Sequence, residues 1–275
     1  MPSAHYDGCE IHYETFGDGP RRMLLVMPIG WPGPDLVRRS PYMGAFRAPE
    51  VELATYDRRG TARSTPATDV PDLDRHVADL EAVAGALGWE RFVLCGVGGG
   101  ALAAGTAVSY AARHPERVPR MVLWNPNPAF FATEDWPYGM PESAAEAAAG
   151  MLSVSKAAGS AALLDFFMPD LPPELREQLI PVIKAGMSDP SFLDTFFMSA
   201  SLRNPAEDYA TVRCPVLCIH LGRDLQAPRE AVKWVAETIP DARLVEFPEL
   251  GWGTLVALGR EDEAFDVAAD FIAAG

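Results

Sequence analysis

Phe92-Val93-Leu94-Cys95-Gly96-Val97-Gly98-Gly99-Gly100-Ala101 is the stretch that decides the fold. Its first four residues are apolar, as suits a strand buried on both faces of a parallel sheet. The glycines permit a tight turn, and residues 101–113 are alanine-rich and stop before Pro115, as a helix does. Strand, glycine turn and helix in succession fit two devices. One is a dinucleotide fingerprint, because Gly96-x-Gly98-x-x-Ala101 satisfies G-x-G-x-x-A and would seat a pyrophosphate on the helix N-terminus. That device belongs in the first βα unit, with an acid ending the next strand. Here several strands come first and the next strand ends at Asn125, which disfavours it. The other is a nucleophile elbow, which needs small residues two before and two after its central position, where strand and helix approach closely. Gly96 and Gly100 supply them, and Gly98 takes the central position.

Outward from the turn, the chain keeps an α/β rhythm. Residues 9–16 alternate and end at Gly17-Asp18-Gly19-Pro20, as an edge strand or hairpin arm does. Residues 22–27 and 51–56 read as further strands. Between 69 and 87, Val77, Leu80, Val83, Ala84 and Leu87 share a helical face, and Gly88 closes it. Residues 120–124 are a strand. After Asn125-Pro126-Asn127-Pro128 no clear strand follows until 213. Helical stretches at 142–152 and 158–167 are broken by Pro169, Pro172, Pro173, Pro181 and Pro190. Strands at 216–220 and 243–247 and helices at 230–239 and 262–274 then complete the pattern. Alternating strands and helices predict a parallel α/β sheet. The expected division is a core of residues 1–127 and 213–275, with a helical cap over 128–212.

Composition narrows the function. The 275 residues carry a net charge of −15, which excludes a nucleic-acid binder relying on phosphate neutralisation and disfavours anionic lipid surfaces. No apolar run is long enough to span a membrane. The N-terminus lacks the basic and apolar regions of a signal peptide, so a cytoplasmic protein is expected. Cys9, Cys95, Cys214 and Cys218 have neither zinc-site nor redox-pair spacing.

Taken in order, several segments resemble the α/β-hydrolase superfamily along nearly the whole chain. They are Gly30-Trp31-Pro32-Gly33, Asp57-Arg58-Arg59-Gly60-Thr61-Ala62-Arg63-Ser64, the elbow, His114-Pro115-Glu116-Arg117-Val118, the aromatic insertion and Gly222-Arg223-Asp224-Leu225-Gln226-Ala227-Pro228. The resemblance implies an α/β-hydrolase fold, a mostly parallel twisted sheet flanked by helices. It also implies the order nucleophile, acid, histidine. Asp224 falls at the acid's position, Gly98 at the nucleophile's and Trp252 at the histidine's. Glycine has no attacking atom, and an indole N–H donates but accepts no proton near neutral pH. The backbone N–H groups of Gly99 and Trp31 correspond to the superfamily's oxyanion donors and would survive these side-chain losses. His5, His12, His76, His114, His220 and Ser64 are each better read as structural.

Asp224 has two readings. A buried Asp224 would have a raised pKa and could donate or accept a proton. Alternatively Trp252 donates its N–H to Asp224 in a structural pair. Trp136, Tyr138, Asn125, Phe130 and Phe196 are candidates to line an apolar pocket. The expected function is a non-hydrolytic cyclase, lyase or isomerase acting on a hydrophobic, carbonyl-bearing small molecule through the backbone donors. The alternatives are a hydrolase with water positioned over Gly98 by Asp224, a small-molecule binding protein, and a partner subunit. No cofactor and no metal are expected. The expected partner is a hydrophobic small molecule, with no nucleic acid, no membrane and room for a homo-oligomer.

Overall fold

The computed structural model describes residues 1–39, 50–66, 71–98, 103–141, 168–188, 204–224, 226–257 and 261–274, with positions 143, 150, 161, 164, 165 and 202. Strands β1 (Ser3–Tyr6), β2 (Cys9–Phe16), β3 (Arg21–Val26), β4 (Val51–Tyr56), β5 (Val93–Val97), β6 (Met121–Trp124), β7 (Val216–Leu221) and β8 (Ala242–Phe247) form one sheet. Their order is β1-β2-β4-β3-β5-β6-β7-β8. β1 and β2 are antiparallel to their neighbours, and β4 through β8 pair in parallel. The β1–β2 hairpin turns on Asp7 and Gly8, both at positive φ, as a two-residue primed turn requires.

Helices α1 (Gly33–Arg39), α2 (Leu73–Ala86), α3 (Ala104–Arg113), α4 (Pro173–Gly186), α5 (Ala206–Thr211), α6 (Arg229–Thr238), α7 (Trp252–Ala257) and α8 (Glu261–Ala273) complete the described elements. α2 starts where the Asp72 side chain accepts from Arg75 N at 2.8 Å, a helix cap. Alternate residues of each central strand serve opposite faces. Met23, Leu25, Cys95, Val122, Trp124, Leu217 and Ile219 pack with α1, α4 and α8. Leu24, Val26, Leu94, Met121, Leu123, Val216 and Cys218 pack with α2, α3 and α6. Hence β5, β6 and β7 are buried throughout and read as unbroken apolar runs.

α4 lies where prolines suggested interruptions. Pro173 stands at its start, where a missing N–H is harmless, and Pro181 sits inside it. Its last residue, Gly186, presses on the loop after β3: a Cβ there would overlap the carbonyl oxygen of Gly30, and Gly186 O accepts from Ala62 N at 3.4 Å. The helices expected at 142–152 and 158–167 fall almost wholly outside the described residues. Among the described residues, no helix is long and apolar enough to cross a membrane.

In the sheet order, β3 has β4 on one side and β5 on the other, so the chain reverses its winding there. Crevices at the carboxyl ends of such strands are the usual ligand sites of open α/β sheets. Pro28 follows β3 and Gly98 follows β5 at this crevice.

Candidate active site

The elbow glycines have separate steric reasons. A Cβ on Gly96 would stand 2.9 Å from Ala104 Cα and 3.3 Å from Ala107 Cβ, so α3 packs on β5 only because that position is bare. Gly98 has φ +97° and donates its N–H to Trp124 O at 3.1 Å. A Cβ on Gly98 would stand 2.8 Å from Pro28 Cγ. The Pro28 ring therefore covers the seat that the elbow would offer an attacking side chain. Gly99, expected as an oxyanion donor, lies outside the described residues.

Pro28 to Trp31 form a turn with Gly30 at φ +82°, a type II geometry that needs glycine at its third position. Trp31 N, the other expected donor, bonds Pro28 O at 3.1 Å, and Gly30 N bonds Thr61 Oγ1 at 3.1 Å. The Trp31 N–H is thus already engaged in the turn.

Asp224 is buried just past β7, its N–H bonded to Leu221 O at 3.0 Å. Its Oδ2 accepts from Asn125 Nδ2 at 2.5 Å and from Trp252 Nε1 at 3.0 Å, and its Oδ1 accepts from Gln226 N at 2.9 Å. Burial raises the Asp224 pKa, and these three donors oppose the rise. Asn125, at φ +47°, also accepts from Leu221 N at 2.7 Å. Its amide ties the ends of β6 and β7 together and aims its N–H₂ at the carboxylate. Asn125 was expected as pocket lining; here it orients Asp224.

Trp252 opens α7, and its ring centroid lies 5.7 Å from that of Trp124. Asp170 fixes this helix start, accepting from Gly253 N at 3.2 Å and Thr254 N at 2.9 Å. Sequence reasoning missed Asp170. Its setting, Met168-Pro169-Asp170-Leu171-Pro172, marks a cap, but nothing there shows that it caps a helix more than eighty residues away.

Of the other expected pocket residues, Trp136 is buried against Ala129, Ala231 and Trp234, with Nε1 bonded to Asn127 Oδ1 at 3.0 Å. Tyr138 is exposed and meets Trp136 edge-on, with centroids 5.2 Å apart. Phe130 is packed into the core beside Phe131. Phe196 lies outside the described residues. A cavity of about 150 Å³ lies between the sheet and α8, lined by Cys95, Val122, Trp124, Phe265, Ala268 and Ile272 among others.

The remaining polar candidates are tied into the scaffold. His220 Nε2 lies 3.2 Å from Ala227 O and its Nδ1 3.7 Å from Glu246 Oε1. Ser64 Oγ donates to Asp57 O at 2.5 Å and accepts from His12 N at 2.9 Å, joining β2 to the turn after β4. Burial pushes the Asp57 carboxyl up to about 7, with Arg63 pulling the other way.

A family model described as alpha/beta hydrolase fold matches residues 30–251. The chain belongs to the alpha/beta hydrolase fold family. Among curated relatives of this chain, a pimeloyl-[acyl-carrier protein] methyl ester esterase of Nitrosomonas europaea is 26% identical, covering 88% of this chain and 92% of its own. Among solved structures, an esterase from Exiguobacterium antarcticum superposes with a TM-score of 0.81 at 17% identity, covering 97% of this chain and 96% of its own. The enol-lactonase from Burkholderia xenovorans LB400 superposes with a TM-score of 0.74 at 20% identity, covering 99% and 100%. Such low identities establish the fold alone. The expected non-hydrolytic cyclase, lyase or isomerase is overturned by the relatives, which are named esterases and other hydrolases and support a hydrolytic enzyme.

Proposed function

We propose that this hydrolase lacks both the attacking side chain and the imidazole, with Gly98 and Trp252 in their places, and cleaves an acyl ester or lactone of an apolar molecule using water. One observation carries the proposal. The buried Asp224 carboxylate keeps an oxygen, Oδ1, that among the described residues accepts only from Gln226 N. A carboxylate oxygen has two lone pairs, so one remains for a water proton. The raised pKa makes Asp224 a stronger base than an exposed aspartate.

Water attacks the carbonyl carbon as Asp224 takes its proton. The oxyanion is held by the N–H groups of Gly99 and Trp31, and for this Trp31 N shifts from, or shares, Pro28 O. Collapse breaks the acyl C–O bond, and the proton on Asp224 passes to the departing alkoxide. The names of the relatives support the ester class.

The test is turnover of methyl and aryl esters and of simple lactones by purified protein. Measurable hydrolysis is expected without an acyl adduct in the intact mass of quenched enzyme. Asp224→Asn is expected to lower kcat/KM by roughly 10²–10⁴-fold, the usual share of a general base. Unchanged turnover in that variant, or an acyl adduct, overturns the mechanism.

The Pro28 ring over Gly98 and the engaged Trp31 N–H favour a second reading, a protein that holds its ligand without turnover. Recovery of intact ester from a tight complex, with equal affinity in Asp224→Asn, would select it.

A further inference from the structure

Close to Asp224, one buried side chain fastens the acid's loop to the segment that leaves β6. Asn127 follows β6 and is buried. Its amide is engaged on both sides. Oδ1 accepts from Trp136 Nε1 at 3.0 Å and from Ala129 N at 3.3 Å. Nδ2 donates to Gln226 O at 3.1 Å and to Tyr138 O at 3.4 Å. An asparagine amide has two N–H donors and two acceptor lone pairs, so its whole capacity is used.

The two parts that Asn127 joins are each well tied. Residues 129–140 close on themselves: Ala132 N donates to Met140 O and Met140 N to Phe130 O, both at 2.8 Å, and Thr133 N donates to Trp136 O at 2.9 Å. Trp136 seats this loop on α6, its ring centroid 5.0 Å from that of Trp234. On the other side, residues 224–228 link β7 to α6, and Gln226 is their half-buried middle. Its N–H donates to Asp224 Oδ1 at 2.9 Å while its C=O accepts from Asn127. Ala227 O, next along, faces His220 Nε2 at 3.2 Å. Gln226 is therefore gripped at both ends. Without Asn127 its carbonyl would turn to solvent, and its N–H would lose its aim at Oδ1.

We propose that Asn127 is a positioning residue for Asp224: by gripping Gln226 it sets the bond on Oδ1, the oxygen left for water, and couples the 129–140 loop to the acid's loop. Its effect on turnover rests on Asp224 acting as the base; the linkage itself does not. The Gln226 N–H favours the ionised carboxylate against burial, as do the donors on Asn125 and Trp252, and His220 acts on Asp224 by charge. Weakening the Gln226 bond therefore delays ionisation of Asp224 to higher pH.

The test is an NMR titration of the full-length protein, with labelled aspartate carboxyls and tryptophan indoles. Asp224→Asn and Trp136→Phe identify the two signals. In wild type the Trp136 indole N–H is expected to move with the Asp224 midpoint. In Asn127→Ala, which adds no charge, the midpoint should rise by about half a pH unit or more and the indole should stop following it. With an ester substrate, kcat should fall about tenfold with little change in KM, and the acid limb of kcat/KM should move up in pH. An unmoved midpoint in folded Asn127→Ala overturns the proposal, even if that variant is less stable. If it does not fold, wild type decides, and a Trp136 indole indifferent to Asp224 overturns the proposal. Both titration results in a protein that hydrolyses no ester would uphold the linkage and refute only the base.

Discussion

Replacing Gly98 by alanine asks whether the elbow has been closed by Pro28. Two costs follow from the geometry. At φ +97° an L-residue is strained by about 1–2 kcal/mol. The new Cβ would stand 2.8 Å from Pro28 Cγ, and a proline ring cannot rotate away. Overpacking of this kind costs about 1–3 kcal/mol. Together the penalty is about 2–5 kcal/mol, which at about 2–4 °C per kcal/mol lowers Tm by roughly 4–20 °C. Urea and thermal unfolding measure it directly. Pro28→Ala removes the offending Cγ, so the double variant should recover the steric share, and the cycle should show about 1–3 kcal/mol of coupling. Full additivity, or a Gly98→Ala protein melting within a degree of wild type, would refute the steric argument.

Trp252→Phe keeps a ring beside Trp124 but deletes the N–H that reaches Asp224 at 3.0 Å. A loss of about 1.5–3 kcal/mol is expected in urea melts, larger at high pH than at low pH, because the bond serves the ionised carboxylate. For Asp57, the folded pKa of about 7 lies above the ordinary 3.8. The native state therefore holds a proton that the unfolded chain releases, and stability falls as pH rises through that window by up to about 1.4 kcal/mol per unit. Asp57→Asn should lose this contribution, so its stability measured at pH 5 and pH 7 should differ less than that of wild type. An identical pH difference in both proteins would count against a buried, proton-holding Asp57.

The framework of the sheet was legible because local signals agreed with burial. The apolar runs at β5, β6 and β7 and the bare Gly96 each have one physical cause that acts close by in sequence. What escaped notice depends on contacts across the chain. Pro173 and Pro181 looked like breaks, yet one occupies a helix start and the other is carried by packing of Leu175, Leu179, Val182 and Ile183. The short helix at Trp252 depends on Asp170 and has no cap of its own in the sequence. Trp136 has the composition of a pocket aromatic but finds Trp234 instead. At the site itself, the positions of Gly98, Asp224 and Trp252 followed from resemblance, and the Trp252–Asp224 bond was one of two readings left open. Pro28 above Gly98 could not be read, since it joins the ends of two strands about seventy residues apart in sequence.

The bare end of helix α4 has a bearing on traffic. Because Gly186 rests on the Gly30 carbonyl with no side chain between them, the helix and the Trp31 turn are mechanically one piece. A doorway hinged on that helix alone would jam against its own frame. Any visitor must enter past another border of the crevice, or move turn and helix together, repositioning Trp31 N as it passes.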